Sequence, residues 1–448
     1  MIRFPITASS PMAHPGPPPA ACDVVVIGGG IIGVMTAWFL AERGLRVTLC
    51  EKGRIAGEQS SRNWGWIRQQ GRDLAELPIM IESLRHWDGL VQEFGDALGF
   101  RRGGVMYLAS GQDDLERFAR WRTAAQAHGV DTRLLTRAEV AARLPGATAD
   151  WPGALLTPSD ARAEPWVVVP ILAGGAVARG ATLVENCAVR GLVRSAGRIT
   201  GVETEHGRIA CDHVVLAGGA WSALFARAEG VSLPQLAVRS TAALTEDLTG
   251  LCTESTGARD FAFRRHVAGG FLIAERSAHD FFVGPDALRN LRHYLPQLRR
   301  DRRSTRFRPA APSGYPDAWQ TPRRWPATAA SPFESLRVLD PAPNMASAGR
   351  AQDAFARAFP ALGRPKLRAV WAGMIDTMPD GVPVIDRVAA IPGLTIATGM
   401  CGHGFGIGPG VGRVVADLVA GAPVGHDLHR FRLARFSDGS RIDLGSGL

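Results

Sequence analysis

At 448 residues the chain is longer than one hydrophobic core comfortably serves, so two domains are expected. Its 46% hydrophobic and 21% charged residues describe a globular chain, and no apolar run reaches the ~20 residues of a membrane-spanning helix. The formal charge of +9 would suit a polyanion binder, but of 51 basic residues only Lys52 and Lys366 are lysine, so the excess reads as an arginine bias rather than a built patch.

Residues 1–21 are rich in Pro, Ala and Ser, with no basic region ahead of an apolar core, and read as a disordered tail rather than a secretory signal. Residues 24–27, VVVI, read as a buried parallel strand that breaks into Gly28, Gly30 and Gly33 at the G-x-G-x-x-G spacing. A helix-period run over 31–43 follows, closed by Gly44. Gly28 permits the turn, Gly30 admits a pyrophosphate to the backbone, and Gly33 lets helix and strand approach. A second strand, 46–50, ends at Glu51, whose carboxylate can accept ribose hydroxyls and would repel a 2′-phosphate. The candidate cofactors are therefore FAD and NAD.

The segment after Glu51 reads as a loop at the sheet's C-terminal edge, where ligands bind in open α/β folds. Lys52, Ser60, Ser61, Arg62 and Asn63 can serve phosphates or a polar ring edge, and Trp64, Trp66 and Arg68 follow. Residues 73–94 read as an amphipathic helix and 101–108 as a strand outside the first sheet. Two surface helices follow, 113–129 and 136–144, the second with Thr136 as N-cap and Glu139 three residues on. Beyond a helix at 166–179, short strands lead to a buried strand at 213–217. That strand runs into Gly218, Gly219, Ala220 and Trp221, a second glycine turn where the same dinucleotide is expected.

From 236 to 338 short alternating strands give an α+β character, and the arginine-rich stretch 298–324 reads as a solvated insertion, with a surface that meets a membrane, partner or polyanion as the alternative. A helix at 351–359, a strand at 367–373 and another at 394–398 precede the glycine-rich segment 399–413 and a helix at 411–420. Six cysteines without C-x-x-C pairing or a neighbouring histidine at ligand spacing argue for reduced thiols in the cytoplasm and against a metal site. The expected division is a discontinuous Rossmann-like α/β domain over 22–99, 146–235 and 339–435, with a substrate domain over 100–145 and 236–338.

Together, Gly28/Gly30/Gly33 with Glu51-Lys52, SSRNWG, VVLAGGAWS, WAGMIDTMPDGVPVID and GMCGHGFGIGPGVGR resemble the D-amino-acid oxidase superfamily, most of all its glycine oxidase, sarcosine oxidase and D-amino-acid dehydrogenase branch. The resemblance is weakest over 236–338. It implies a Rossmann-like FAD domain with an α+β substrate domain on an antiparallel sheet. It also implies oxidative deamination or demethylation of a small amino acid or secondary amine, by hydride transfer from the α-carbon to flavin N5.

Carried over residue by residue, Gly28, Gly30, Ile32 and Gly33 would cradle the pyrophosphate, Glu51 the adenosine ribose, and the backbone of Val189 the adenine. Residues 60–65, with Ser60, Ser61, Arg62, Asn63 and Gly65, and residues 217–221, with Ala217, Gly218 and Trp221, would line the ribityl chain and flavin. Gly402, Gly404, Phe405 and Gly406 would set N–H groups at the pyrimidine edge. Gly373-Met374 stand where some relatives attach flavin through a cysteine, so FAD is expected to be non-covalent. Arg68, Arg276 and Arg62, in that order, are candidates to clamp a substrate carboxylate, with Trp66 as a pocket wall and His403 near substrate or flavin. The electron acceptor would be oxygen or a quinone, with slow reoxidation by oxygen because the lysine of the sarcosine oxidase branch is missing. Nucleic acid is not an expected partner, and peripheral contact with the inner membrane stays open. An NAD-linked dehydrogenase and a basic-surface binding protein remain the alternatives.

Overall fold

The computed structural model describes residues 4–248, 251–301 and 304–445. The apolar run Val24–Ile27 sits at the centre of a six-stranded sheet, flanked in parallel by Val47–Cys50 on one side and His213–Leu216 on the other. Thr182–Val184 extends one edge in parallel, Leu394–Thr398 the other, and Val384–Arg387 closes that edge antiparallel. Buried on both faces, Val24, Val25 and Val26 are at most 1% exposed, which explains an unbroken apolar run rather than an alternating one.

The helix Ile31–Glu42 leaves the first glycine turn and is buried along nearly its whole length. The helix Gly404–Ala420 packs against it, and their closeness rests on small residues. A Cβ at Gly408 would lie 2.5 Å from Ile31 Cγ1, and one at Gly412 would lie 2.5 Å from Met35 Cβ. This helix starts seven residues before the expected 411, running through Pro409. Proline cannot donate to the preceding turn, and Ser83 repairs the break: its hydroxyl donates to the Gly406 carbonyl at 2.8 Å and accepts the Gly410 N–H at 3.1 Å.

The second sheet has ten strands, mostly antiparallel, with the long strand Leu236–Thr245 paired to Leu367–Thr377, Phe271–Glu275 and His279–Phe282. Gly153–Thr157 and Leu367–Thr377, expected within the Rossmann-like segments, pair in this sheet instead, and the helix Met345–Ala358 packs on it. The chain therefore crosses between the two sheets more often than composition suggests. Both strands are as apolar as their neighbours in the first sheet, so local pattern does not separate them. In the arginine-rich stretch, Arg302 and Arg303 lie outside the described residues. Its segment Thr305–Arg308 is tied to the sheet edge: it runs parallel to His279–Phe282, Arg306 pairs with Glu275, and Arg308 with Asp280. Local charge suggested a solvated insertion because those carboxylates come from distant strands.

The expected disordered tail is also corrected over its described part. Phe4 rests against Trp166 and Trp371, at 4.4 and 4.6 Å between ring centres, and Ile6 is 4% exposed. Ala13 and His14 donate backbone N–H groups to Glu185, and Arg54 holds the Ser10 carbonyl at 2.6 Å. Few apolar residues anchor this segment, which is why composition alone misses it. Among the described residues no helix is long and apolar enough to cross a membrane.

Candidate active site

One cavity of about 650 Å³ runs from the first glycine turn, past the Gln59–Arg62 helical turn, to the loop ahead of Gly404–Ala420. At one end lie Gly28, Gly30 and Ile32, and the space above them is kept by missing side chains. Gly28 has φ +107, and a Cβ there would lie 2.5 Å from the Ala217 carbonyl oxygen, so the two glycine turns meet as expected. Gly33 stands behind the cavity wall, where a Cβ would overlap the Gly28 carbonyl; its role is the close approach of helix to strand. Ser60 accepts the Ile31 N–H at 2.9 Å and so caps the helix that faces the cavity.

Glu51 lines the same end. Its two oxygens accept N–H groups from Gly29 at 2.6 Å and Gly53 at 2.7 Å, which aims the carboxylate and leaves lone pairs for hydroxyl donors. Burial pushes its pKa up to about 7, against the pull of Lys52 and these backbone donors. Lys52 is itself occupied: Nζ donates to Glu58 at 2.7 Å and to the carbonyls of Leu336 and Arg337, 4.4 Å above the centre of the Trp221 ring. Val189, Ala217, Gly218 and Trp221 complete this end.

Asn63 bridges the carbonyls of Gln59 and Ser60 to the Gly65 N–H and lines the cavity's middle. Ser61 and Gly65 lie behind it, Ser61 fully buried with its hydroxyl on the Glu58 carbonyl. Arg62 reaches the wall, but its guanidinium is held by Asp340 at 2.7 Å and the carbonyls of Ile6 and Gly57, so it stabilises the scaffold and is not offered to a ligand.

At the far end Gly373, Gly402, His403, Gly404 and Phe405 line the cavity, whereas Gly406 turns away, a Cβ there falling 3.0 Å from Ile67 Cα. His403 receives Arg72 at its Nδ1, 2.7 Å away, and at its carbonyl, 2.8 Å away. Since Arg72 can only donate, Nδ1 is the acceptor and the ring proton sits on Nε2. Burial beside Arg72 and Arg68 keeps the ring neutral, well below the usual histidine value. Arg72 and Glu76, 3.2 Å apart and each 1% exposed, escaped the sequence reading because their partner is 331 residues away. Cys401 adopts a left-handed φ of +50; its thiol donates to Gly399 and accepts from Met378, so it packs within the turn, and burial holds it protonated.

Between these ends stand Trp66, Arg68 and Arg276, grouped around a residue the sequence did not single out. Tyr107, 3% exposed, lies with Arg276 4.3 Å and Arg68 5.8 Å from its ring centre and Trp66 at 6.2 Å. Two cations on one ring mark an environment prepared for negative charge. The only signal in the sequence is that Tyr107 is one of three tyrosines, in a strand placed beside the substrate.

Three likenesses bear on this arrangement. Sarcosine oxidase subunit beta of Rhizobium meliloti is 29% identical over 428 residues, covering 94% of this chain and 90% of the relative. Glycine oxidase of Pseudomonas putida is 28% identical, covering 89% of this chain and 95% of its own. The solved L-amino acid deaminase of Proteus myxofaciens, in complex with anthranilate, superposes with a TM-score of 0.89 at 29% identity, covering 96% of this chain and 97% of that one. The cavity is long enough for an extended dinucleotide, with two glycine turns and the Glu51 carboxylate at one end and a glycine loop at the other. The pattern of the FAD dependent oxidoreductase family, DAO, matches residues 23–418, and the chain belongs to that family, as an FAD-dependent enzyme of oxidation and reduction.

Proposed function

We propose that this enzyme oxidises the C–N bond of a small amino acid, primary or N-substituted, and passes the electrons to an acceptor other than oxygen. The observation that carries the reading is the placing of Arg68 and Arg276 in the cavity that the dinucleotide-binding glycines also line. A planar guanidinium recognises a carboxylate through two parallel hydrogen bonds and so fixes the α-carbon's position. Glycine oxidase, sarcosine oxidase and L-amino acid deaminase, the relatives compared above, support the same substrate class.

FAD, when bound, supplies the two-electron acceptor for this oxidation. The chain's own residues hold and orient. Gly28, Gly30 and Glu51 would take the pyrophosphate and ribose, and Gly402 and Gly404 would meet the far end. His403 keeps Nε2–H as a donor without adding charge, because Arg72 occupies Nδ1. Trp66 and Tyr107 narrow the space around the arginines and exclude water, so each charge-assisted bond acts in a drier medium.

The acceptor reading rests on Lys52. Fixed by Glu58 and two carbonyls, it is not free to stabilise superoxide, and a guanidinium suits that small anion less well than an ammonium. The test is turnover of a panel of primary and N-methyl amino acids of both hands, with a quinone-like dye or oxygen as acceptor, reading 2-oxo acid or aldehyde formed. The dye should support the faster reaction. Oxygen outrunning it would overturn the acceptor assignment, and no product from any amino acid would overturn the substrate class.

A further inference from the structure

The wall around Tyr107 carries more positive charge than one carboxylate requires. Arg68 donates to the Gln70 carbonyl and Arg276 to the Ala258 carbonyl at 3.1 Å; among the described residues neither forms an ion pair with a carboxylate. Of the cavity's other cations, Lys52 has Glu58 and Arg62 has Asp340, while Arg54, also without a carboxylate, spends its N–H groups on Asn186 and the carbonyls of Ala8, Ser10 and Gly53. Two carboxyls that sense Arg68 are turned elsewhere. Asp160 faces the N–H groups of Gln69 and Gln70, at 2.7 and 3.2 Å, and Glu76 faces Arg72. Both are buried, and burial raises each to about 7, which weakens any neutralisation they offer.

A second observation points the same way. Trp66 Nε1 is buried and has no hydrogen-bond partner, although its ring lies 6.2 Å from that of Tyr107. A buried donor without a partner costs stability, and both guanidiniums, though each donates to a backbone carbonyl, keep further N–H groups for an anion. The face of the Tyr107 ring attracts both cations and holds them near one another.

We propose that the substrate carries two carboxylates, one for Arg68 and one for Arg276: an amino dicarboxylic acid or an N-carboxymethyl amino acid held across Tyr107. This rests on the amino-acid reading above and narrows it. The pattern is one of charge, so pairs of substrates that differ only in charge decide it.

The experiment compares kcat/KM on the FAD-loaded enzyme for aspartate with asparagine, glutamate with glutamine, and iminodiacetate with its monoamide, in both hands where a stereocentre exists. The diacid should win within at least one pair by about 10- to 100-fold, the range of a charge-assisted bond. Arg68→Met and Arg276→Met should then separate. The variant that loses the distal contact should bring the acid/amide ratio near one, because acid turnover falls further than amide turnover. The variant that loses the α-carboxylate contact should lower acid and amide together. Equal turnover of acid and amide by the wild-type enzyme, or both variants lowering acid and amide by the same factor, would overturn the proposal while leaving amino-acid oxidation intact. No turnover of any amino acid, mono- or dicarboxylic, would instead remove the reading on which it rests.

Discussion

At the scale of residues, Glu51 shows how one side chain can be tied into the scaffold and still line the cavity. Its oxygens each accept a backbone N–H, from Gly29 and Gly53, while facing the cavity. Glu51→Gln exchanges one acceptor for a donor and leaves one of those buried N–H groups unpaired, at about 1–3 kcal/mol. FAD retention, measured by dilution or ultrafiltration, should fall about 10- to 100-fold. The pH dependence has a defined sign. The folded pKa of about 7 exceeds the ordinary 4.5, so the folded protein holds the proton more tightly, and Glu51's contribution to stability is largest below 4.5 and falls as pH rises to 7. His403 runs the other way: kept neutral by burial, its contribution is present above 6.5 and lost as pH falls. The difference in apo-protein stability between wild type and Glu51→Gln, followed by denaturant melts from pH 4.5 to 7, isolates the first term. A difference that does not change with pH in this window would contradict the assignment to Glu51.

At the scale of elements, the helix Gly404–Ala420 explains why a glycine-rich motif serves two ends. Gly402 and Gly404 line the cavity, while Gly408, Gly410 and Gly412 let the helix lie against Ile31–Glu42 and Leu77–Phe94. The motif was legible in the sequence, but its division of labour was not, because periodicity cannot say which glycine faces a ligand and which faces Met35 or Ile79. Gly410→Ala would put a Cβ 2.5 Å from the Ile79 carbonyl oxygen and should cost about 1–3 kcal/mol. The control is Gly174→Ala, exposed within the helix Pro165–Ala178 with nothing near its Cβ, which should be neutral or stabilising by up to about 1 kcal/mol. Thermal melts of both variants check the contrast; a Gly410→Ala variant as stable as wild type would show that the helices have room to part.

At the scale of the whole molecule, the two sheets share one cavity and one staple. Trp166 belongs to the helix Pro165–Ala178, packed against the first domain's helix Ile31–Glu42, and Trp371 to a strand of the second sheet; Phe4 touches both. Phe4→Ala should therefore lower stability by about 1–3 kcal/mol, and limited proteolysis should cut the chain faster than in wild type. Resistance equal to wild type would mean that the segment merely rests on the surface. The central strand, first glycine turn, Glu51 and terminal glycine loop were all legible, because each is written within a few dozen consecutive residues. What was not legible is long-range: Phe4 against two tryptophans, Tyr107 between two arginines, and Arg72 on His403. Short apolar strands such as Gly153–Thr157 carry no mark of the sheet they join.

The central claim, that this cavity holds FAD and lets an amino acid reduce it, is met most directly by anaerobic mixing. Purified protein should be yellow, and its visible flavin absorption should bleach when a suitable amino acid is added without oxygen. Acid should then release all the FAD into solution, since Gly373 and Met374 offer no nucleophile and the Cys401 thiol, which lines the cavity, is held protonated within its turn. A flavin that dithionite bleaches but that no primary, N-substituted or dicarboxylic amino acid reduces would contradict the account.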